Sequence, residues 1–166
     1  MNQLIKVVAI LLVFSIFFGC INLSDDSIQK MNILQQKYFV KQGYSTNQAT
    51  MTEYITSLAN LRKTASNENS KVIEAEIYLA ESFAYENRAL SESLKLNYVA
   101  YNCSSTEAKA MTNYINLAFN SINLAEKSFS TLNSTQKANL RSNYNELLVG
   151  YKEKITMMKT FAESKC

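Results

Sequence analysis

The chain has 166 residues, 47% of them hydrophobic and 19% charged, with three Gly and no Pro, His or Trp. That is too apolar for a disordered chain and too poor in Gly and Pro for collagen or a turn-dense β-sandwich, and without His there is no His-ligated zinc, haem or non-haem iron site and no His-dependent triad. The net charge of +3 is small, which gives no electrostatic reason to expect nucleic acid or a polybasic membrane patch.

The N-terminus carries one basic residue, Lys6, before the apolar run Val7 to Phe18, which is followed by Gly19 and Cys20. A short basic start and about a dozen apolar residues form a signal-peptide pattern, whereas a spanning helix needs ~20. The segment Phe17-Phe18-Gly19-Cys20 resembles the lipobox of bacterial and archaeal lipoproteins. Gly19 and Cys20 match that pattern; Leu and then a small residue are usual where Phe17 and Phe18 stand. The resemblance implies cleavage before Cys20, lipidation of Cys20, and an exported protein held at the outer face of the cytoplasmic membrane or another envelope membrane. The competing readings of the segment are an uncleaved signal anchor and simple secretion. The expected division is a signal peptide over 1–19, a lipidated tether over 20–24 and one helical-bundle domain over 25–166.

After the tether, helical periodicity prevails and no segment shows sustained alternation of period two. Ser24-Asp25-Asp26-Ser27 offers helix caps. Ile28, Met31, Leu34 and Tyr38 follow at helical spacing, with Gly43 as the predicted stop. A second helix is predicted from about Ser45, with Met51, Tyr54, Ile55, Leu58 and Leu61 as its stripe, fading into a polar linker over 66–70. A third is predicted from Ser70 to Asn102, and its apolar rows include Ile73, Ile77, Ala80, Phe83, Leu90 and Leu94. Ser104 and Glu107 have capping-box spacing for the fourth helix. There Met111, Ile115, Ala118, Ile122, Ala125, Phe129 and Leu132 alternate steps of four and three, an a/d seam. The fifth is predicted after Asn133-Ser134-Thr135, with Leu140, Tyr144, Leu147, Tyr151, Ile155, Met158 and Ala162 on one face. The fold class expected is all-α, an antiparallel up-down bundle of about five helices, three of them long and ordered up-down-up.

Chemistry-bearing residues are sparse. The heptad-spaced pairs Tyr78 and Tyr85, and Tyr144 and Tyr151, read as core packing in preference to a ligand pocket. Glu74, Glu76, Glu81 and Glu86 read as a solvated acidic face, because a di-iron bundle site needs Glu-x-x-His. Asn87 falls on the apolar row and reads as a register-fixing polar residue. No phosphate loop, dinucleotide glycine pattern or nucleophile elbow is present. No catalytic residue, metal ligand or cofactor is therefore expected. Asn22, Asn102 and Asn133 head Asn-x-Ser/Thr sequons where an exported chain could carry glycans. With Cys20 assigned to lipid, Cys103 and Cys166 remain, an even number in an exported chain. The up-down-up order brings the turn at Cys103 and the end of the last helix to the same end of the bundle, so a Cys103–Cys166 disulfide is expected. The function expected is an interaction or envelope-organising module, joined to the membrane through lipid on Cys20 and to an unidentified protein partner, with no nucleic acid. The alternative is a small-ligand-binding or sensor bundle, which requires a cavity between helices with a few convergent polar groups.

Overall fold

The computed structural model describes residues 25–40, 43–96 and 103–165. Among them are six helices and two short strands: α1 (Ser27–Tyr38), β1 (Phe39–Val40), β2 (Gly43–Tyr44), α2 (Gln48–Thr64), α3 (Asn67–Ser93), α4 (Thr106–Thr131), α5 (Ser134–Ala138) and α6 (Tyr144–Lys165). The architecture is an antiparallel all-α bundle, as the periodicity predicts.

The first five helices each begin where a side chain satisfies an orphan backbone donor. Asp25 Oδ1 accepts the Ser27 N–H at 3.0 Å and starts α1. Asn47 caps α2 through the Thr50 N–H at 3.0 Å. Ser66 caps α3 through the Asn69 N–H at 3.3 Å, so the predicted linker over 66–70 is instead a tight corner and the first turn of a helix. Ser105, and not Ser104, caps α4, accepting from Ala108 N at 3.1 Å. Glu107 then lies in the first turn, where its charge suits the helix dipole.

Three further expectations are corrected. Gly43 does not stop the first helix. α1 ends at Tyr38, and Gly43 pairs with Val40 in a hairpin of two-residue strands that also matches Phe39 with Tyr44. The hairpin turns Tyr44 into the core, where it is 5% exposed. α3 stops at Ser93 rather than Asn102. Ser93 Oγ bonds back to the Leu90 carbonyl at 2.7 Å, and the next amides, of Lys95 and Leu96, bond three residues back in tight turns. The predicted fifth helix is two: the single turn α5, closed by a reciprocal Asn133–Gln136 capping box, and α6 after the break at residues 139–143.

α3 lies at the centre. α2 runs antiparallel to it, with Tyr54 reaching Glu76 and Gln48 reaching Arg88. α4 runs antiparallel on another side, with Ala89 packed near Met111 and Ile115. α6 is antiparallel to α4: Phe129 stacks on Tyr144 with centroids 5.2 Å apart, and Lys152 pairs with Glu126 at 2.6 Å. The α4 seam is buried at Met111, Ile115, Ala118, Ile122, Ala125 and Leu132, with Phe129 half-buried at the edge. On α6 Tyr144, Leu148, Ile155 and Ala162 are buried, and Leu147 is only half-buried.

This arrangement gives the bundle two distinct ends. At one, Asp25 Oδ2 accepts the Ser66 N–H at 2.7 Å, and Gln136 Nε2 reaches the Glu68 carbonyl at 3.3 Å. The start of α1, the α2–α3 corner and the α4–α5 corner therefore meet. At the other end, the last turns of α3 and α6 meet the first turns of α4. The 27 residues of α3 separate the ends by about 40 Å at 1.5 Å per residue.

Candidate functional site

The expected solvated acidic face is overturned. Glu74 and Glu81 are half-buried, and Glu76 and Glu86 are completely buried. α3 is covered by α2, α4 and α6, so little of its circumference is left for water.

Glu76 is the focus of a polar cluster. Its Oε1 accepts from Tyr44 Oη at 3.0 Å, from Tyr54 Oη at 2.7 Å and from Arg141 Nη2. The break between α5 and α6 carries Arg141 inward, and its guanidinium lies 4.8 Å from the Tyr44 ring centroid. Tyr144 Oη donates to the Ala75 carbonyl at 2.7 Å. Burial, reinforced by the Glu76 charge, pushes the Tyr44, Tyr54 and Tyr144 phenols above their ordinary range. Burial opposes the charge of Arg141, but Tyr44 and Glu76 favour it and leave its pKa raised. Four segments thus converge on one carboxylate oxygen or its neighbour: the hairpin, α2, the α5–α6 break and α6. Charge-assisted bonds of this kind are strong, and the burial makes each partner costly to remove.

Glu86 is treated differently. Its counter-charge is the Lys154 ammonium, paired with Oε1, yet neither carboxylate oxygen accepts an aligned hydrogen bond. The Tyr151 phenol is pushed up to about 12, by burial first and then by the Glu86 charge. Tyr151 packs with Phe83 at 5.3 Å and Tyr44 at 6.2 Å, linking the two carboxylate regions through aromatic rings. Tyr144 and Tyr151 are therefore packing residues, as read from their spacing, while the polar tips of Tyr44 and Tyr54 hold a charge that the spacing does not reveal. Tyr78 is half-buried and donates to Glu74 at 3.0 Å. Asn87 is half-buried, and its amide nitrogen is buried without a hydrogen-bond partner.

At the opposite end, between α3, α4 and α6, lies an open apolar cleft of about 280 Å³. Leu90, Met111, Ile115, Met157, Met158 and Phe161 line it. Met157 is 67% exposed and Leu94, close by in sequence to Leu90, is 85% exposed. A second cleft, of about 460 Å³, runs between α1 and α2 beside Ile33 and Leu61.

Among the sequence-predicted sites, Cys20, Asn22, Asn102 and Cys166 lie outside the described residues. Cys103 is half-buried in the turn before α4. Asn133 is exposed and its side-chain oxygen caps α5, accepting from Gln136 N at 2.9 Å. Among the described residues, no group of three or more His, Cys, Asp or Glu could hold a metal ion, and no helix is long and apolar enough to cross a membrane. No protein-family description, curated protein or solved structure matches this chain.

Proposed function

We propose that the protein is a lipid-anchored extracytoplasmic bundle that acts through protein contacts at the end farthest from its anchor. The observation that carries this reading is the Met- and Phe-lined cleft at the α3–α6 end, flanked by exposed apolar side chains. Methionine side chains are flexible and polarizable, which suits them to receive the apolar face of a partner helix. The tether supports the same reading. With lipid on Cys20, five residues lead to Asp25, a reach of at most about 18 Å. Asp25 is fastened to the α2–α3 corner, so that corner faces the membrane. The cleft then stands about 40 Å further out, the length of α3. The partner is an envelope or cell-surface protein, and the role is organisational, with no catalytic step and no cofactor.

A disulfide from Cys103 to Cys166 belongs to this reading. α6 runs toward the Cys103 end of the bundle, which favours Cys166 as the partner. Glycans on Asn22, Asn102 or Asn133 would depend on the host's machinery.

Two measurements test the proposal. Mass spectrometry of the membrane fraction should find an N-terminus at lipidated Cys20; a chain still beginning at Met1 refutes the lipoprotein reading. Crosslinking in whole cells should capture one envelope protein, and Met157→Glu should abolish that capture while the melting temperature holds. Capture unaffected by Met157→Glu refutes the cleft as the contact surface.

A further inference from the structure

A third cleft, of about 150 Å³, opens between α2 and α3 and is more polar than the other two. Thr52, Thr56, Glu81, Tyr85 and Arg88 line it over an apolar floor at Ile55. Its two charged residues are of opposite sign and are not paired with each other. They lie seven residues apart on α3, about 10.5 Å along the axis. Glu81 is half-buried, and its carboxylate makes no hydrogen bond or ion pair with the described residues. Arg88 is held in place: its Nε donates to Gln48 Oε1 at 2.7 Å. Its guanidinium also lies 6.0 Å from the Tyr85 centroid and 5.8 Å from that of Tyr114. Those contacts hold the group in place while its Nη atoms keep their hydrogens for another acceptor, as bidentate carboxylate recognition requires.

We propose that this cleft is a binding site for a small zwitterion of the ω-amino-acid class, its ammonium at Glu81 and its carboxylate on the Arg88 fork. The threonine hydroxyls and the Tyr85 hydroxyl supply neutral polar contacts around the two charges. The volume is well below the roughly 300–1,000 Å³ of pockets for larger ligands, so the molecule has a short chain and no ring system. An ammonium brought to Glu81 gains because that carboxylate is already partly stripped of water; the same burial pushes its pKa up in the empty state. The spacing of the two groups favours a ligand whose charges are several bonds apart over glycine. This site is separate from the apolar cleft and does not rest on the tether.

Calorimetric titration of the full-length protein with γ-aminobutyrate tests the assignment, with glycine, butyrate and butylammonium as comparisons. Saturable binding of γ-aminobutyrate is expected, at least about tenfold tighter than any of the three others, since butyrate and butylammonium each leave one charge unmatched and glycine is too short to reach both. Glu81→Gln and Arg88→Gln should each weaken it by about tenfold or more. Arg88→Lys keeps the charge and loses the fork, and should weaken it as well even if Arg88→Gln proves poorly folded. No saturation below about 50 mM, a Kd too weak to count as recognition, overturns the proposal. So does equal binding of the singly charged analogues, or binding indifferent to Glu81→Gln and Arg88→Lys.

Discussion

The two ends of the α3–α6 pairing solve the same packing problem in opposite ways. Toward the end where α6 begins, the core encloses a charged carboxylate and surrounds it with two phenols and a guanidinium drawn from distant parts of the sequence. At the other end, α3 and α6 meet α4 through Ala89, Met111, Ile115 and Ala162, and leave an apolar cleft open to solvent. A polar network has strict geometry, since each partner has a direction and removing one exposes the cost of burying the rest. An alkyl and thioether surface has no such directions and can be repacked at small cost. The first end is thus built for a unique structure, and the second for adaptable contact.

The largest effect should come from breaking the network. Glu76→Ala leaves Arg141 buried without its carboxylate and two phenols without their acceptor, a loss of about 3–5 kcal/mol. In a domain of this size that lowers the melting temperature by about 10 °C or more, as thermal circular dichroism would show. Glu76→Ala combined with Arg141→Ala should recover part of the loss, because the residual charge is gone. Additive losses would show that the two residues do not act as a unit.

The contrast also separates what the sequence makes legible from what it hides. The seam of α4 could be read directly, because its packing surface repeats along one continuous helix and burial follows the repeat. Glu76 reads as solvated by type, yet its place carries the opposite signal: it lies three residues after Ile73 and seven before Phe83, inside the apolar stripe. A carboxylate there demands partners, but those partners are Tyr44, Tyr54 and Arg141, up to 65 residues away, and no local rule specifies them. The capping error at Ser104 has a shorter range. Two adjacent serines both precede Thr106, and only the backbone path decides which hydroxyl faces the orphan amide, here that of Ala108. The break at residues 139–143 is disguised because Leu140 within it and Tyr144 and Leu148 after it are all buried, so helical spacing continues where the helix does not. The third cleft was invisible because Gln48 and Arg88 meet only when α2 folds back on α3.

The open end needs its own fastening, and the proposed Cys103–Cys166 bond supplies it. Its contribution is the second largest expected. Cys166→Ser should cost about 2–4 kcal/mol through the longer reach of the unfolded chain. Urea denaturation of the wild type with and without reductant should reproduce that difference, while the Glu76 variants should lose the same amount with or without the bond. Equal stability of reduced and oxidised protein would mean that the last turn of α6 is held by packing alone.

The smallest expected effect lies at the anchored end, outside the core. Asp25 accepts from the amides of Ser27 and Ser66 and so fastens the start of the bundle to the α2–α3 corner. Those bonds, from Ser27 and then Ser66, hold its carboxyl well below the usual carboxylate range. A group whose pKa is lower in the folded chain stabilises the fold while it is ionised, so its contribution is complete above the unfolded value of about 4 and is lost as pH falls below it. Asp25 is exposed, so solvent screening reduces that contribution to about 0.5–1 kcal/mol. Asp25→Asn should therefore be less stable than the wild type by that amount at neutral pH, and the gap should narrow steadily between about pH 4 and pH 2. Urea titrations of both proteins across that range measure it. A gap that stays constant with pH would assign the loss to the shape of the side chain. A gap that narrows assigns it to the charge, and makes the corner facing the proposed anchor an acid-sensitive end of the bundle.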